Sequence, residues 1–188
     1  MQPLRTAPWL AFVLLTTLAG SPAARADDAE GSGGLISEIK LGALVHDVPY
    51  LWSHFQLERT TVDANLEVLF HPVGSLIGGE LRPALGLTLN PNGETSKAYL
   101  DLRWQTAFGP NWYVAFGMGV AIHNGELTPV PARKALGSRL LFHPSLEIGL
   151  NLNEHNNLSL FFDHMSNWNT QQDNEGMDTL GLRYGYRF

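Results

Sequence analysis

The sequence predicts an all-β protein, an eight-stranded antiparallel transmembrane β-barrel, on three observations. The 188-residue chain is 44% hydrophobic but only 16% charged, whereas about a quarter of a typical soluble domain is charged. Its apolar residues recur at every second position, while helical periodicity is hard to find. Long polar connections alternate with short turns, which is typical of outer-membrane barrels.

The first 26 residues have the features of a secretory signal peptide. Arg5 is basic, residues 9–19 form an apolar run, and Ala24-Arg25-Ala26 is a small-x-small cleavage site. An anchoring helix is the alternative, but the apolar run is shorter than the roughly 20 residues that span a bilayer. We therefore expect residues 1–26 to be removed on export, residues 27–34 to be a flexible polar segment, and residues 35–188 to form the barrel.

Composition argues against several other classes of protein. With 12 basic and 18 acidic residues the chain has a net charge of −6, so a nucleic-acid partner is not expected. There is no cysteine to build a disulfide framework. The histidines lack metal-ligand spacing and no Gly-rich phosphate loop is present, so we expect neither a metal nor another cofactor. An exported protein that has no cysteine is consistent with a location in the envelope of a Gram-negative cell.

Eight stretches have the length and alternation of tilted membrane-spanning strands. They are residues 35–46, 62–70, 77–89, 97–106, 112–123, 138–150, 158–166 and 178–188. The connections at 47–61, 90–96, 124–137 and 167–177 are mostly long and polar, and those between them are short. An even number of strands then places both termini on the periplasmic side.

The two faces of these strands differ in polarity. In the fifth strand Val114, Phe116 and Met118 oppose Ala115 and Gly117. Across the predicted strands the second face carries acids and bases together: Glu38, Lys40, Glu67, Glu80, Arg82, Asp101, Arg103, Arg139, Glu147, Asp163, Arg183 and Arg187. A soluble lipocalin-like barrel or a solvated sheet would have to bury or cover the apolar face, and no amphipathic helix is available for that. We expect a lumen of paired charges and an apolar surface against lipid.

Candidate catalytic residues lie at the end of the seventh predicted strand. His164 and Ser166 share the parity of Leu158, Leu160 and Phe162, which predicts that they face outward. A serine hydroxyl needs an adjacent base, and alternate residues on one strand face are about 7 Å apart at Cα, within reach of an imidazole.

A third group and an oxyanion donor complete this candidate site. Asp178 has outward parity at the start of the last strand, which should pair with the seventh, so its carboxylate is placed to orient the imidazole. Asn167 follows the serine directly and could stabilise an oxyanion. Taken alone, His-x-Ser is a weak motif, because such residues are common at the water boundary of a barrel.

Three segments carry a resemblance to a known family. His164-Met165-Ser166-Asn167, then Asn174 to Asp178, then the closing Leu182 to Phe188 resemble the lipid A 3-O-deacylase family (PagL type). The family's fold is an eight-stranded outer-membrane barrel with a Ser-His-Glu triad on its outer surface. The resemblance implies Ser166 as nucleophile, His164 as base and Asn167 as an oxyanion contributor. The acid falls on Asp178, where Glu is usual, and Glu175 in the loop is the alternative acid.

The resemblance implies an outer-membrane serine esterase that hydrolyses an ester-linked acyl chain of lipid A, at the 3-position, from the outer-leaflet side. Its substrate would be lipid A or lipopolysaccharide, its surroundings outer-membrane lipids, and a homodimer is a further possible assembly. The alternative is a non-enzymatic small barrel with a structural or adhesive role, in which the long loops carry the function. A palmitoyl-transferring barrel would need an apolar lumen, which the charged inner face argues against.

Overall fold

The computed structural model describes residues 34–53 and 56–188, which belong to one unit. The predicted signal peptide and the adjoining residues up to 33 lie outside the described residues. The described residues form the following strands: β1 (Ile36–Val45), β2 (Val62–Phe70), β3 (Gly74–Leu76), β4 (Gly79–Leu89), β5 (Lys97–Phe108), β6 (Trp112–His123), β7 (Leu140–Asn151), β8 (Asn156–Met165) and β9 (Met177–Arg187). Within this part of the chain no helix is long and apolar enough to cross a membrane.

Eight of these strands form a closed antiparallel ring. Each long strand pairs with the next along the chain, β9 returns to pair with β1, and β2 pairs with β4 across the short β3. Closure leaves no open sheet edge in the ring, which is what a bilayer requires of a β-structure. The predicted eight-stranded antiparallel barrel is therefore confirmed.

The short strand β3 was not predicted as a separate element. Residues 74–76 fold back on β4 as a hairpin, and Trp104 Nε1 donates a hydrogen bond to the Leu76 carbonyl at 2.6 Å. Ile77 and Gly78 make the tight turn with positive φ angles of 47° and 71°. Three residues are too few for a recognisable alternation, so the sequence places residue 77 in the long strand instead.

The lumen is filled by ion pairs, as the polar face predicts. Arg103 contacts Glu67 at 3.1 Å and Glu147 at 2.5 Å, and Arg183 pairs with both of these glutamates. Lys40 joins the network through Glu147 at 2.5 Å. Pairing of this kind compensates the desolvation of buried charges. Of the predicted inward-facing charges, Glu80 and Arg139 are exposed and lie outside this buried network, although Glu80 keeps the parity of Arg82 and lines a cavity with it.

The outer surface is an apolar belt. Leucines, valines and aromatic residues on every long strand are exposed there, which is expected where lipid replaces water. Several apolar residues point inward instead, among them Phe161, Leu69 and Leu141. The Phe161 ring lies 3.6 Å from the Arg183 guanidinium carbon, and this cation–π contact accounts for a fully buried phenylalanine among charges.

Candidate active site

Strand register brings His164 and Asp178 together. β8 and β9 pair with His164 directly opposite Asp178. His164 has the parity of Leu160 and Asp178 that of Leu182, and both leucines are exposed on the apolar belt. Because side chains alternate between the two faces of a strand, His164 and Asp178 project outward from the barrel.

The two side chains form a direct hydrogen bond. His164 Nδ1 lies 2.6 Å from Asp178 Oδ1. A carboxylate can only accept, so Nδ1 carries the proton and Nε2 remains the basic nitrogen. Gly176, with a φ of 62°, passes so close that a Cβ there would lie 2.9 Å from His164 Cε1. A residue larger than glycine at 176 would displace the imidazole.

Ser166 follows β8 directly and is held by β7 rather than β9. Its N–H donates to the Phe142 carbonyl at 3.1 Å, and the Phe142 N–H donates to the Ser166 carbonyl at 2.8 Å. Within the described residues, the Ser166 hydroxyl has no hydrogen-bond partner. Catalytic hydrogen bonds often tighten only when substrate binds, so the free hydroxyl is compatible with attack on a ligand.

Ser166 and His164 line one cavity of about 450 Å³. Its floor is apolar, formed by Met118, Phe142 and Pro144 on the outer faces of β6 and β7. The remaining lining residues come from loops: Trp52, Ser53, Trp168, Asn169, Asn174, Glu175 and Gly176. Met118 and Phe142 are about 40% exposed and belong to the apolar belt, so the cavity opens toward the hydrocarbon side of the barrel.

The two other predicted site residues have different contacts. Glu175 Oε2 accepts a hydrogen bond from the Ala135 N–H at 2.5 Å, and the Glu175 N–H donates to the Ala135 carbonyl. The Asn167 amide donates to the Leu136 carbonyl at 3.0 Å and to the Asp173 carbonyl at 2.6 Å. Asp178, and not Glu175, therefore contacts His164. Asn167 donates both of its side-chain amide hydrogens to loop carbonyls.

The loop between β1 and β2, here called L1 (residues 46–61), adds residues that sequence reasoning did not find. Trp52 stacks on the His164 ring at 4.9 Å between centroids, and the N–H groups of Trp52 and Ser53 donate to Asp178 Oδ2. L1 has no strand alternation, so parity gives no information about where its side chains point. L1 contains three aromatic residues, Tyr50, Trp52 and Phe55, and the sequence does not single out Trp52 among them.

A larger cavity of about 690 Å³ lies at the opposite, short-turn end of the barrel. It too contains a serine and a histidine, together with two glutamates. There Ser37 Oγ donates to the Leu69 and Phe70 carbonyls, and His155 Nδ1 is bound to the Arg187 carbonyl. These side chains hold backbone at the strand ends, which favours a structural role.

Solved structures with the same architecture show which fold this is. The chain is similar to the crystal structure of the outer membrane enzyme PagL, with a TM-score of 0.62 and 19% identity over 79% of this chain and 99% of that one. It is also similar to the Yersinia pestis outer membrane protein Ail, with a TM-score of 0.51 and 11% identity over 82% of this chain and 100% of that one. The fold is that of a small outer-membrane β-barrel.

Sequence comparison then gives the family. The family model described as lipid A 3-O-deacylase (PagL) matches residues 79–187, more than half of the chain. The lipid A deacylase PagL of Bordetella bronchiseptica is 30% identical over 86 residues, which are 46% of this chain and 46% of that protein. The alignment thus spans about half the length of this relative. The chain belongs to the lipid A 3-O-deacylase (PagL) family, and L1 lies outside the matched residues.

Proposed function

We propose that the protein is an outer-membrane lipid A deacylase that hydrolyses an ester-linked acyl chain, at the 3-position, with Ser166, His164 and Asp178. The observation that carries this proposal is the 2.6 Å hydrogen bond between Asp178 and His164 Nδ1 on the outer face, beside a cavity shared with Ser166. Polar groups are costly on a lipid-facing surface. Their concentration at one point of an otherwise apolar belt therefore favours a function, and family membership names the substrate class.

The reaction follows the acyl-enzyme route of serine esterases. His164 Nε2 takes the proton of Ser166 Oγ, and the oxygen attacks the acyl carbonyl carbon. Asp178 stabilises the resulting imidazolium through Nδ1–H. The tetrahedral intermediate breaks at the sugar ester bond, and His164 returns the proton to the departing sugar hydroxyl. Water, deprotonated by His164, then attacks the carbonyl carbon of the acyl-serine. The bond from this carbon to Ser166 Oγ breaks, His164 returns the proton to Ser166 Oγ, and the fatty acid leaves.

The oxyanion donors need to come from groups that face the cavity. Asn167, the candidate from the sequence, donates both amide hydrogens to the Leu136 and Asp173 carbonyls, so its contacts favour holding the loop. Asn174 lines the cavity, and its Nδ2 donates one hydrogen to Asn169 Oδ1, which leaves a second hydrogen. We assign the oxyanion contact to this hydrogen, together with backbone N–H groups at the cavity.

The apolar cavity floor suits a substrate that approaches through the membrane. Met118 and Phe142 continue the lipid-facing belt into the cavity, so an acyl chain can reach Ser166 without crossing water. In the proposed orientation the long loops face the cell exterior and the chain termini the periplasm, so that the site meets the outer leaflet. Residues 1–26 would direct the export that this location requires.

The test is the lipid A of cells that express the wild-type protein or Ser166→Ala. Mass spectrometry is expected to show lipid A lighter by one ester-linked acyl chain with the wild type and unmodified lipid A with the variant. Heat-modifiable electrophoretic mobility serves as the control that both barrels are folded. Equal deacylation by the folded variant would rule out Ser166 as the nucleophile, and no deacylation by the wild type would refute the proposed activity.

A further inference from the structure

Asp178 is held by L1 as well as by the histidine. Its Oδ2 atom accepts hydrogen bonds from the Trp52 N–H at 2.7 Å, the Ser53 N–H at 2.6 Å and the Ser53 hydroxyl at 3.0 Å. The Val48 N–H also donates to the Asp178 backbone carbonyl at 3.0 Å. With Oδ1 bonded to His164, both oxygens have donors and the plane of the carboxylate is fixed.

Trp52 covers the imidazole from the outside. Its ring stacks on His164 with an interplanar angle of 17° and on Phe162 at 6.4 Å between centroids. His164 is consequently only 6% exposed, although it stands on the lipid-facing surface where Leu160 is 46% exposed. The stacked ring restricts rotation of the imidazole and separates the Asp178–His164 bond from surrounding lipid and water.

The base of L1 is fixed by a buried polar network. His46 bridges Asp63 at 2.8 Å and Glu58 at 2.9 Å. Asp47 accepts hydrogen bonds from the Leu57 and Glu58 N–H groups, so the two ends of the loop are tied together. Such a network holds a loop in one conformation. The contacts of Trp52 and Ser53 therefore belong to an anchored loop.

We propose that Ser53 and Trp52 are positioning residues for the Asp178–His164 pair, Ser53 by orienting the carboxylate and Trp52 by restraining the imidazole. The inference rests on the proposed function. Aspartate is one methylene shorter than glutamate, so it reaches His164 only from a narrow range of orientations. Three donors on Oδ2 select that orientation and keep the carboxylate ionised on an apolar surface, where an unpaired charge is costly.

The kinetic test compares Ser53→Ala with Ser53→Thr, which keeps a hydroxyl, and with Tyr50→Ala as a matched control. Tyr50 belongs to the same loop and is 80% exposed. We expect Ser53→Ala to lower kcat about tenfold with KM unchanged, as for loss of one hydrogen bond to a charged group. Ser53→Thr should recover most of the loss, and Tyr50→Ala should match the wild type.

A double-mutant cycle separates positioning from a general structural effect. If Ser53 acts through Asp178, Ser53→Ala should have no further effect on kcat in an Asp178→Asn background. An equal decrease in both backgrounds, or wild-type kcat in Ser53→Ala, would overturn the inference. Trp52→Ala should lower kcat more than Trp52→Phe, because phenylalanine retains a stacking ring; equal losses would overturn the role given to Trp52.

A measurement independent of activity distinguishes failure of this inference from failure of the proposed function. The ¹⁵N resonances of the His164 ring, in histidine-labelled protein, are assigned by their loss in His164→Ala. We expect Ser53→Ala to shift the Nδ1 resonance and Tyr50→Ala to leave it in place. Identical Nδ1 shifts in wild type and Ser53→Ala would refute the inference whether or not the protein deacylates lipid A.

Discussion

The barrel contains two His-x-Ser triplets on neighbouring strands, one facing the lumen and one facing lipid. In the lumen, His143 Nδ1 lies 3.0 Å from both oxygens of Asp101, and Ser145 stands two residues on. On the outside, His164 contacts Asp178 in the same way and Ser166 stands two residues on. Residue types and spacing are the same. The difference is the parity of the strand position, which decides whether a ligand can reach the hydroxyl.

Access and pairing distinguish the two clusters. His143 and Ser145 are 0% and 1% exposed, and His143 is also 3.6 Å from Asp163, a second carboxylate. The outer pair lines a cavity that opens to the apolar belt. Inside, a histidine between two acids neutralises buried charge and stabilises the fold. On the outer face His164 contacts one carboxylate, and its imidazole remains available to activate Ser166.

Removing the imidazole of His164 should lower turnover, whereas removing that of His143 should lower stability. His164→Ala is expected to lower kcat at least about a thousandfold, because the proposed general base is lost, while the barrel stays as stable as the wild type. His143→Ala should leave Asp101 and Asp163 without their shared partner and lower the free energy of unfolding by about 3 kcal/mol. Steady-state kinetics and urea unfolding followed by heat-modifiable mobility measure the two effects.

An exchange of the two effects, on turnover and on stability, would contradict the roles given to His164 and His143. A His143→Ala barrel that loses turnover but not stability would move the chemistry into the lumen, and an active His164→Ala enzyme would remove the base from the mechanism.

Neutralising Asp178 and Glu175 in turn should show which carboxylate orients His164. Asp178→Asn is expected to lower kcat about a hundredfold or more, since an amide cannot hold the Nδ1–H tautomer or stabilise the imidazolium. Glu175→Gln should change kcat by less than about threefold, because a glutamine oxygen can still accept from the Ala135 N–H, the contact that Glu175 makes. Kinetics on both variants measures this, and a larger loss from Glu175→Gln would make Glu175 the acid.

His46 in L1 also lies between two acids, like His143, and should give a smaller, pH-dependent contribution to the stability of this loop. Burial opposes the charge on His46, but hydrogen bonds with Asp63 and Glu58 raise its pKa to about 9. Burial likewise opposes the charge on Glu58, but hydrogen bonds from His46 and Thr95 lower its pKa to about 2. The contact between His46 and Glu58 at the base of L1 therefore stabilises the folded loop fully between pH 4.5 and pH 6.5, the pKa values of the two groups in the unfolded chain.

The His46 contribution is lost as the pH rises through about 9, and that of Glu58 as the pH falls through about 2. Trypsin cleavage after Arg59, whose side chain is 70% exposed, reports opening of L1. We expect cleavage, normalised to an unfolded peptide, to be several-fold faster at pH 10 than at pH 6, and this difference to vanish in His46→Asn. Equal normalised cleavage rates at pH 10 and pH 6 in the wild type would argue against a stabilising role of His46 in L1.

The barrel and its faces could be predicted from the sequence because alternation decides them directly. Parity along the last two long strands suffices to place His164 and Asp178 outside, and strand adjacency brings them together. Parity ends where the strand ends, so it could not show that the Asn167 amide turns to Leu136 and Asp173. Nor could it find Trp52 and Ser53, whose contacts depend on how a long loop folds over two distant strands.

The most direct test of the account is fatty acid release from lipid A in vesicles by purified wild type, Ser166→Ala and Ser145→Ala. The two variants remove the same hydroxyl from the outer and the inner cluster. We expect release by the wild type and by Ser145→Ala at similar rates, and none above background by Ser166→Ala. Release by Ser166→Ala, or its loss only in Ser145→Ala, would contradict a lipid-facing catalytic site.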